Sequence, residues 1–539
     1  MYIATVPNRC SPPAILLRES YRDGAQVKTR TLANLTTWPT ARVDALRRCL
    51  KGEFDGLAED HPPVSDRIFG VLFVLKTLAE RLGIVAALGQ ERSAKLALFL
   101  VLARVAHQGS RLSAVRWAEE QAVAEVLGVG RFNEDDLYHA LDWLAQHQPH
   151  LENKLYRHYV KRIGQPPTLV LYDVTSSYLE GQHNELAAHG YNRDGKKGKK
   201  QIVLGLLTAA DGEPLAVKVF AGNTSDCTTV AEQITTLKHR FAVEEVVFVG
   251  DRGMVKAKGK QALSAQALKY ITALTDPQVR KLLKQQVIQS DQFDEVVQEV
   301  EYQGRRLVLR RNAAVCRQAA RRRQDKLAQL RQRIEERNAF VVASVRAQPE
   351  VGLRQLNRWI KRHKLSAFTT LSLDQRRLQL HIDTDQQTEA TLLDGCYVLE
   401  TDVAKTQMDA FTVDARYRDL QKVERDFRTM KTTLLEVRPI FVRKQGRTCG
   451  HIVVTLLALK IARELDHSLK AAFGTTAEGD NAMTVQDALH ALSRLCFQRH
   501  QSSEQDFLTL PLPDPKQERI FTAIGIKPSR LRRCKPATM

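Results

Sequence analysis

"EEVVFVGDRGM", Glu244 to Met254, sets four apolar residues (Val246, Val247, Phe248, Val249) ahead of Gly250, then an acid, Asp251, beside a base, Arg252. A short apolar run closed by a turn residue reads as a buried strand, so Asp251 stands at that strand's carboxyl end. Gly250 and Gly253 suit a tight backbone turn there. Upstream, "TLVLYDVT" (168–175) has the same form, an apolar strand carrying Asp173. The fold turns on whether these two strands lie side by side.

The intervening sequence says that they do. "QIVLGLLTAADGEPLAVKVFAG" (201–222) is a strand pair around the turn Asp211-Gly212. "TTVAEQITTLKHRF" (228–241) has the spacing of an amphipathic helix, "KGKQALSAQAL" (258–268) is a second helix and "KYITAL" (269–274) a fifth strand. The order β-β-β-α-β-α-β is that of the RNase H-like fold, in which the first strand is central and runs parallel to the fourth. Open α/β sheets bind ligands at the carboxyl ends of their strands, near a switch in strand order. Asp173 and Asp251 then become neighbours. Two adjacent carboxylates in a partly buried site repel each other, and a hard divalent cation relieves this; Mg²⁺ suits a few carboxylates plus substrate phosphate. Taken singly, each acid reads equally as a turn or capping residue, and only the pair at matching strand positions favours the metal.

The rest of the chain divides around this core. Residues 1–40 contain a hairpin, "AILLRESYRDGAQVKTRTLAN" (14–34), turning at Asp23-Gly24. Residues 41–163 are helical in period, with Asn133 and the acids after it as a helix start. The RNase H-like core occupies 164–274 and 394–470, and a basic insertion, 275–393, interrupts it. The insertion holds a hairpin at 298–311 and helices at 316–340 and 353–365; strand-like "CYVLETD" (396–402) returns to the core. A long helix is expected over 415–437, an apolar one over 450–466, and in the C-terminal part, 471–539, a helix over 484–500. The fold class is α/β: an RNase H-like domain with an inserted subdomain, preceded by a mainly helical domain.

Charge points to a partner. The 539 residues carry 81 Lys+Arg against 61 Asp+Glu, a formal net charge of +20, which favours a polyanion such as nucleic acid. Residues 317–337 hold eight Lys/Arg against three acids, and the loop "RDGKKGKK" brings Arg193, Lys196, Lys197, Lys199 and Lys200 just before the second strand. Such side chains give salt-dependent contacts to phosphates; for the helix a solvated charged face is an equal reading. The eight cysteines form no CxxC or zinc-spaced cluster, which fits reduced thiols in a cytosolic protein. No stretch has the ~20 apolar residues of a membrane span. His451 reads as a core histidine, and His147, His150 and His158 as structural.

A third acid is available on "YRDLQKVERDFRTMK". Leu420, Val423, Phe427, Met430 and Leu434 form its apolar stripe, and Tyr417, Glu424 and Lys431, seven residues apart, follow one edge. From spacing alone Glu424 reads better as an exposed residue of a charged helix, like Asp419 and Asp426.

"YDVTSSYLE", "GNTSD", "VGDRGM" and the Glu424 helix together resemble the bacterial insertion-sequence transposases, DDE enzymes of the insertion-sequence-four superfamily, in the long branch with an N-terminal hairpin and helical region. The resemblance runs from "ILLRESYRDG" to at least residue 466. It implies Asp173, Asp251 and Glu424 as catalytic residues and ligands of two Mg²⁺, with Mn²⁺ as a substitute. Tyr417 and Lys431 match the family's Tyr-x2-Arg-x3-Glu-x6-Lys signature as phosphate contacts. Leu420 stands where the family has Arg, and Arg418 and Arg428 are candidates to compensate. Arg252 either faces the phosphate or pairs with an acid. The implied partners are double-stranded DNA, as element terminal inverted repeats and target, and a second copy of the chain; the implied location is the nucleoid of the bacterial cytoplasm. The competing readings are a catalytically silent, transposase-derived repressor and a metal-dependent nuclease.

Overall fold

The structure, a computed structural model, describes residues 1–8, 12–24, 26–52, 64–181, 183–241, 246–252, 254–432, 434–437, 440–474, 482–500 and 507–527. Glu244, Glu245 and Gly253 of the opening stretch lie outside them. Two compact units result: Met1–Leu72 with Glu119–Glu125 and Gln486–Met539, and Phe73–Ala118 with Val126–Val485.

In the first unit, strands Tyr2–Val6, Ala14–Asp23 and Gln26–Asn34 form an antiparallel sheet. Gly24 makes the expected turn at φ 65°. A second antiparallel sheet joins Val64–Ile68 to Cys496–His500 and Phe507–Thr509. The helix expected over 484–500 therefore stops at Leu492: Cys496 and Gln498 pair with Ile68 and Ser65, and sheet pairing decides the conformation.

The second unit is built on one mixed eight-stranded sheet. Its first five strands are β1 (Leu169–Tyr178), β2 (Gln201–Ala209), β3 (Pro214–Phe220), β4 (Val247–Gly250) and β5 (Lys269–Ala273). Helix α1 (Asp226–Thr235) lies between β3 and β4, and α2 (Ala257–Ala265) between β4 and β5. β1 is antiparallel to β2 and parallel to β4, which is parallel to β5. Leu169↔Val247 to Tyr172↔Gly250 set the register, so Asp173, within β1, and Asp251, just past the end of β4, stand at the same level. β1 and β2 are almost wholly buried, because both faces of the sheet are covered. Tyr156, Tyr172, Phe241 and Phe248 are among the large side chains of that core.

After α3 (Asp276–Lys284), the chain forms β6 (Gln298–Tyr302), β7 (Arg305–Arg311), the long helix α4 (Ala313–Ala343), α5 (Pro349–Arg362) and the hairpin β8 (Thr369–Asp374)–β9 (Arg377–Ile382). It re-enters the sheet as β10 (Cys396–Thr401). The sheet order is β6-β7-β10-β5-β4-β1-β2-β3. The hairpin at 298–311 thus extends the sheet, while α4, α5, β8 and β9 pack around a separate core of Leu330, Ile334, Leu356 and Ile360.

The helix expected over 415–437 is two helices, α6 (Ala410–Arg418) and α7 (Leu420–Lys431). Asp419 sits at the joint with ψ −17° and draws in Arg416 and Lys422, each at 3.0 Å. Thr432 is already extended, which ends α7 at Lys431. Finally α8 (Gln445–Phe473) packs on helix Glu134–Ile163, whose start is capped by Asn133 as its sequence indicates. Gly450 permits this crossing, since a Cβ there would stand 2.1 Å from the Leu141 carbonyl oxygen. His451 is buried, and its Nδ1 lies 2.7 Å from an Arg111 guanidinium nitrogen. No helix among the described residues is long and apolar enough to cross a membrane.

Candidate active site

Asp173, on β1, and Asp251, just after β4, open into one cavity of about 420 Å³ at the carboxyl edge of the sheet. Glu424 and Arg428 reach it from α7, whose apolar stripe Leu420, Val423, Phe427 and Met430 is buried and packs the helix on β1. The stripe leaves Glu424 and Arg428 exposed at the rim. Asp426 does not share that exposure. It is 1% exposed and pairs with Arg463 of α8 at 2.5 Å, correcting the sequence reading. Burial raises its carboxyl to about 6, with Arg463 opposing.

Two further acids line the cavity, Asp194 and Asp226. Arg193 donates to both carboxylate oxygens of Asp226, at 2.6 and 2.7 Å. Lys431 ion-pairs with Asp194 at 2.9 Å and donates to Thr175 Oγ1 at 2.5 Å. The Lys431 ammonium is therefore turned onto the protein. Two glycines hold these loops together: a Cβ on Gly222 would stand 1.9 Å from the Gln201 carbonyl oxygen, and one on Gly190 2.2 Å from that of Gly222. This is the physical content of "GYNRDG" and "GNTSD". Asp194 was not legible in the sequence as a site residue; its place just before the Lys-rich loop was the available signal.

Asp173, Asp251 and Glu424 differ from that pair in having no ion-pair partner among the described residues. Asp173 Oδ1 accepts from the Val174 backbone N–H at 2.7 Å, and Asp251 Oδ1 from the Tyr417 hydroxyl at 3.1 Å. Burial, then the Asp251 and Glu424 charges, push the Asp173 carboxyl up to about 7 against that backbone hydrogen bond. Tyr417, half-buried beside Asp251, is raised as well, by loss of solvent and the Asp251 charge. The donor chemistry, three carboxylates with an unmet need for positive charge, suits a hard cation. As the side chains stand, no three His, Cys, Asp or Glu among the described residues are close enough to hold an ion.

Arg252 takes the second of its two readings and pairs with Asp276 at 2.6 Å. Arg418 is tied to Asp414 at 3.0 Å, whereas Arg428 lines the cavity. Lys199 pairs with Glu180 at 2.9 Å, Lys196 lies over the Tyr178 ring, and Lys197 and Lys200 are exposed.

The transposase DDE domain family matches residues 164–459, and the N-terminal domain of the IS1634 family of transposases matches residues 3–63. No curated protein matches the chain. Among solved structures, the chain is similar to the piggyBac transposase synaptic complex with hairpin DNA, at 9% identity and TM-score 0.35 over 78% of each chain. It is also similar to the Mos1 transposase paired-end complex with left transposon end, at 13% identity and TM-score 0.15 over 30% of this chain and 58% of that one. With the DDE-domain match covering more than half of its length, the chain belongs to the insertion-sequence DDE transposases, enzymes that cut and transfer DNA with a divalent metal.

Proposed function

We propose that this transposase binds the terminal inverted repeats of its element, cleaves the DNA there and joins the freed 3′ ends to target DNA, all at the cavity of Asp173, Asp251 and Glu424. The observation that carries the reading is the charge pattern. Of five acids lining the cavity, Arg193 and Lys431 neutralise Asp226 and Asp194, and the remaining three are left for a ligand. Asp173, Asp251 and Glu424 would hold divalent ions, two Mg²⁺ or Mn²⁺. Bound there, paired ions supply a polarised nucleophile and charge stabilisation for in-line displacement at phosphorus.

The protein's own groups have distinct tasks. Val174 N–H and the Tyr417 hydroxyl each fix one carboxylate oxygen of Asp173 and Asp251, orienting the free oxygens. Arg428, exposed at the rim, contacts the phosphate in place of the arginine that Leu420 replaces. Lys431 acts through Asp194 and Thr175, holding the "RDGKKGKK" loop against β1 and α7. Lys196, Lys197, Lys199 and Lys200 then face the DNA backbone from that loop. No side-chain nucleophile is needed. Two ends must be paired, so the active species is a homodimer working on chromosomal DNA in the bacterial cytoplasm.

Purified protein, element-end DNA and Mg²⁺ test the reading. Cleaved and joined products are expected, and Asp251→Asn should abolish both. Cleavage without joining would identify a nuclease, and binding without cleavage a repressor. Full activity of Asp251→Asn would overturn the site.

A further inference from the structure

A second cavity, of about 730 Å³, opens on the same edge of the sheet. The end of β5, the β6–β7 turn, α2 and α3 wall it. One peptide divides the two cavities: Met254 lines the first and Val255 the second. At the boundary, the Thr272 hydroxyl lies 3.4 Å from the Asp251 carbonyl oxygen.

Its electrostatics are the reverse of the first. Lys256, Lys260, Lys281 and Arg305 line it with a single acid, Glu400. Glu400 is already satisfied, accepting from Lys260 at 2.7 Å, Arg305 at 2.8 Å and the Tyr270 hydroxyl at 2.7 Å. Lys256 and Lys281 are exposed and make no ion pair among the described residues. Glutamine amides from α2, α3 and the β6–β7 turn add neutral donors. The volume suits a nucleotide-sized group, and a cleft lined by one sign of charge concentrates the opposite one. The first cavity, with five acids against three cations, attracts no phosphate without its metal. Positive charge to retain DNA beside it must come from an adjoining surface.

We propose that this cleft binds the phosphodiester backbone of DNA flanking the reacting phosphate, with Lys256 and Lys281 as its phosphate contacts. The inference rests on the transposase reading above for the identity of the polyanion. The backbone could belong to the element end or to the target duplex, which offer the same chemistry.

The test uses the full chain carrying Lys256→Glu with Lys281→Glu, both at exposed positions. Affinity for an element-end duplex and for an unrelated duplex is measured by fluorescence anisotropy over a salt series, without divalent metal. For at least one duplex, Kd should rise about tenfold and the slope of log K against log salt should fall by about 2. Loss confined to the end duplex assigns the cleft to the element, and loss confined to the unrelated duplex assigns it to the target. Lys161→Glu with Lys364→Glu carries the same charge change at two exposed lysines outside the cleft and should hold Kd within about threefold, remote charges being screened. Unchanged affinity and slope in the cleft variant, or equal loss in both variants, overturns the proposal. If the wild type binds both duplexes but cuts neither with Mg²⁺, the catalytic reading fails, while a weakened cleft variant still supports the cleft.

Discussion

Asp173 and Glu400 are carboxylates on the same sheet, and the protein treats them in opposite ways. Glu400 is buried and receives two cations and a hydroxyl, which hold it below the ordinary glutamate range despite burial. Asp173 receives one backbone N–H and two more acids, and burial with those acids raises it. A carboxylate supplied with its counter-charges by the fold is a structural element. One left short of them is held ready for something from outside. Removing each should therefore damage a different property.

The largest expected effect is on activity. Asp173→Asn should lower strand cleavage by about a thousandfold or more, while the melting temperature of the metal-free protein stays level or rises because repulsion with Asp251 and Glu424 is relieved. A marked fall in melting temperature would break the contrast. Glu400→Ala should do the reverse. It leaves Lys260 buried without its partner and should cost about 3 kcal/mol of stability in denaturant titration. Gly222→Ala should cost about 2 kcal/mol, because its Cβ meets the Gln201 and Ala188 carbonyl oxygens. Refolded variant protein would also show a displaced "GNTSD" loop as lost protection in hydrogen exchange. Mg²⁺ at ten times its Kd should stabilise the wild type by about 1.4 kcal/mol and leave Asp173→Asn unmoved in the same thermal assay. Arg252→Ala, which removes only an exposed pair with Asp276, should change stability by less than about 1 kcal/mol.

The strands of the core and the level of Asp173 and Asp251 were legible because apolar runs, turn glycines and their order are local signals. The ends of α6 and α7 were not, since Asp419 breaks a periodicity that otherwise runs unbroken through Leu420. Side-chain partners were illegible for a different reason. Asp426 looks like a surface acid until α8, which follows a further turn of chain, brings Arg463 to it. Lys431 looks like a free phosphate contact until β1 and its following loop supply Thr175 and Asp194. The three acids without cationic partners could be listed from the sequence, but that they are the ones without partners is a tertiary fact.

The placing of β10 bears on how the chain comes to be made. β5, already paired with β4, finds its second neighbour, β10, through Ala273↔Leu399, only after β6 to β9 and two long helices have been synthesised. Contacts so distant in sequence close slowly, and on the ribosome, at about 5–20 residues per second, both aspartates emerge well before β10 and α7. A chain interrupted between Asp251 and Cys396 carries two of the three acids and a β5 edge still without β10. Interrupted synthesis thus yields fragments with an incomplete acid trio, so the order of the elements along the chain delays completion of the trio until nearly the whole DDE domain has been translated.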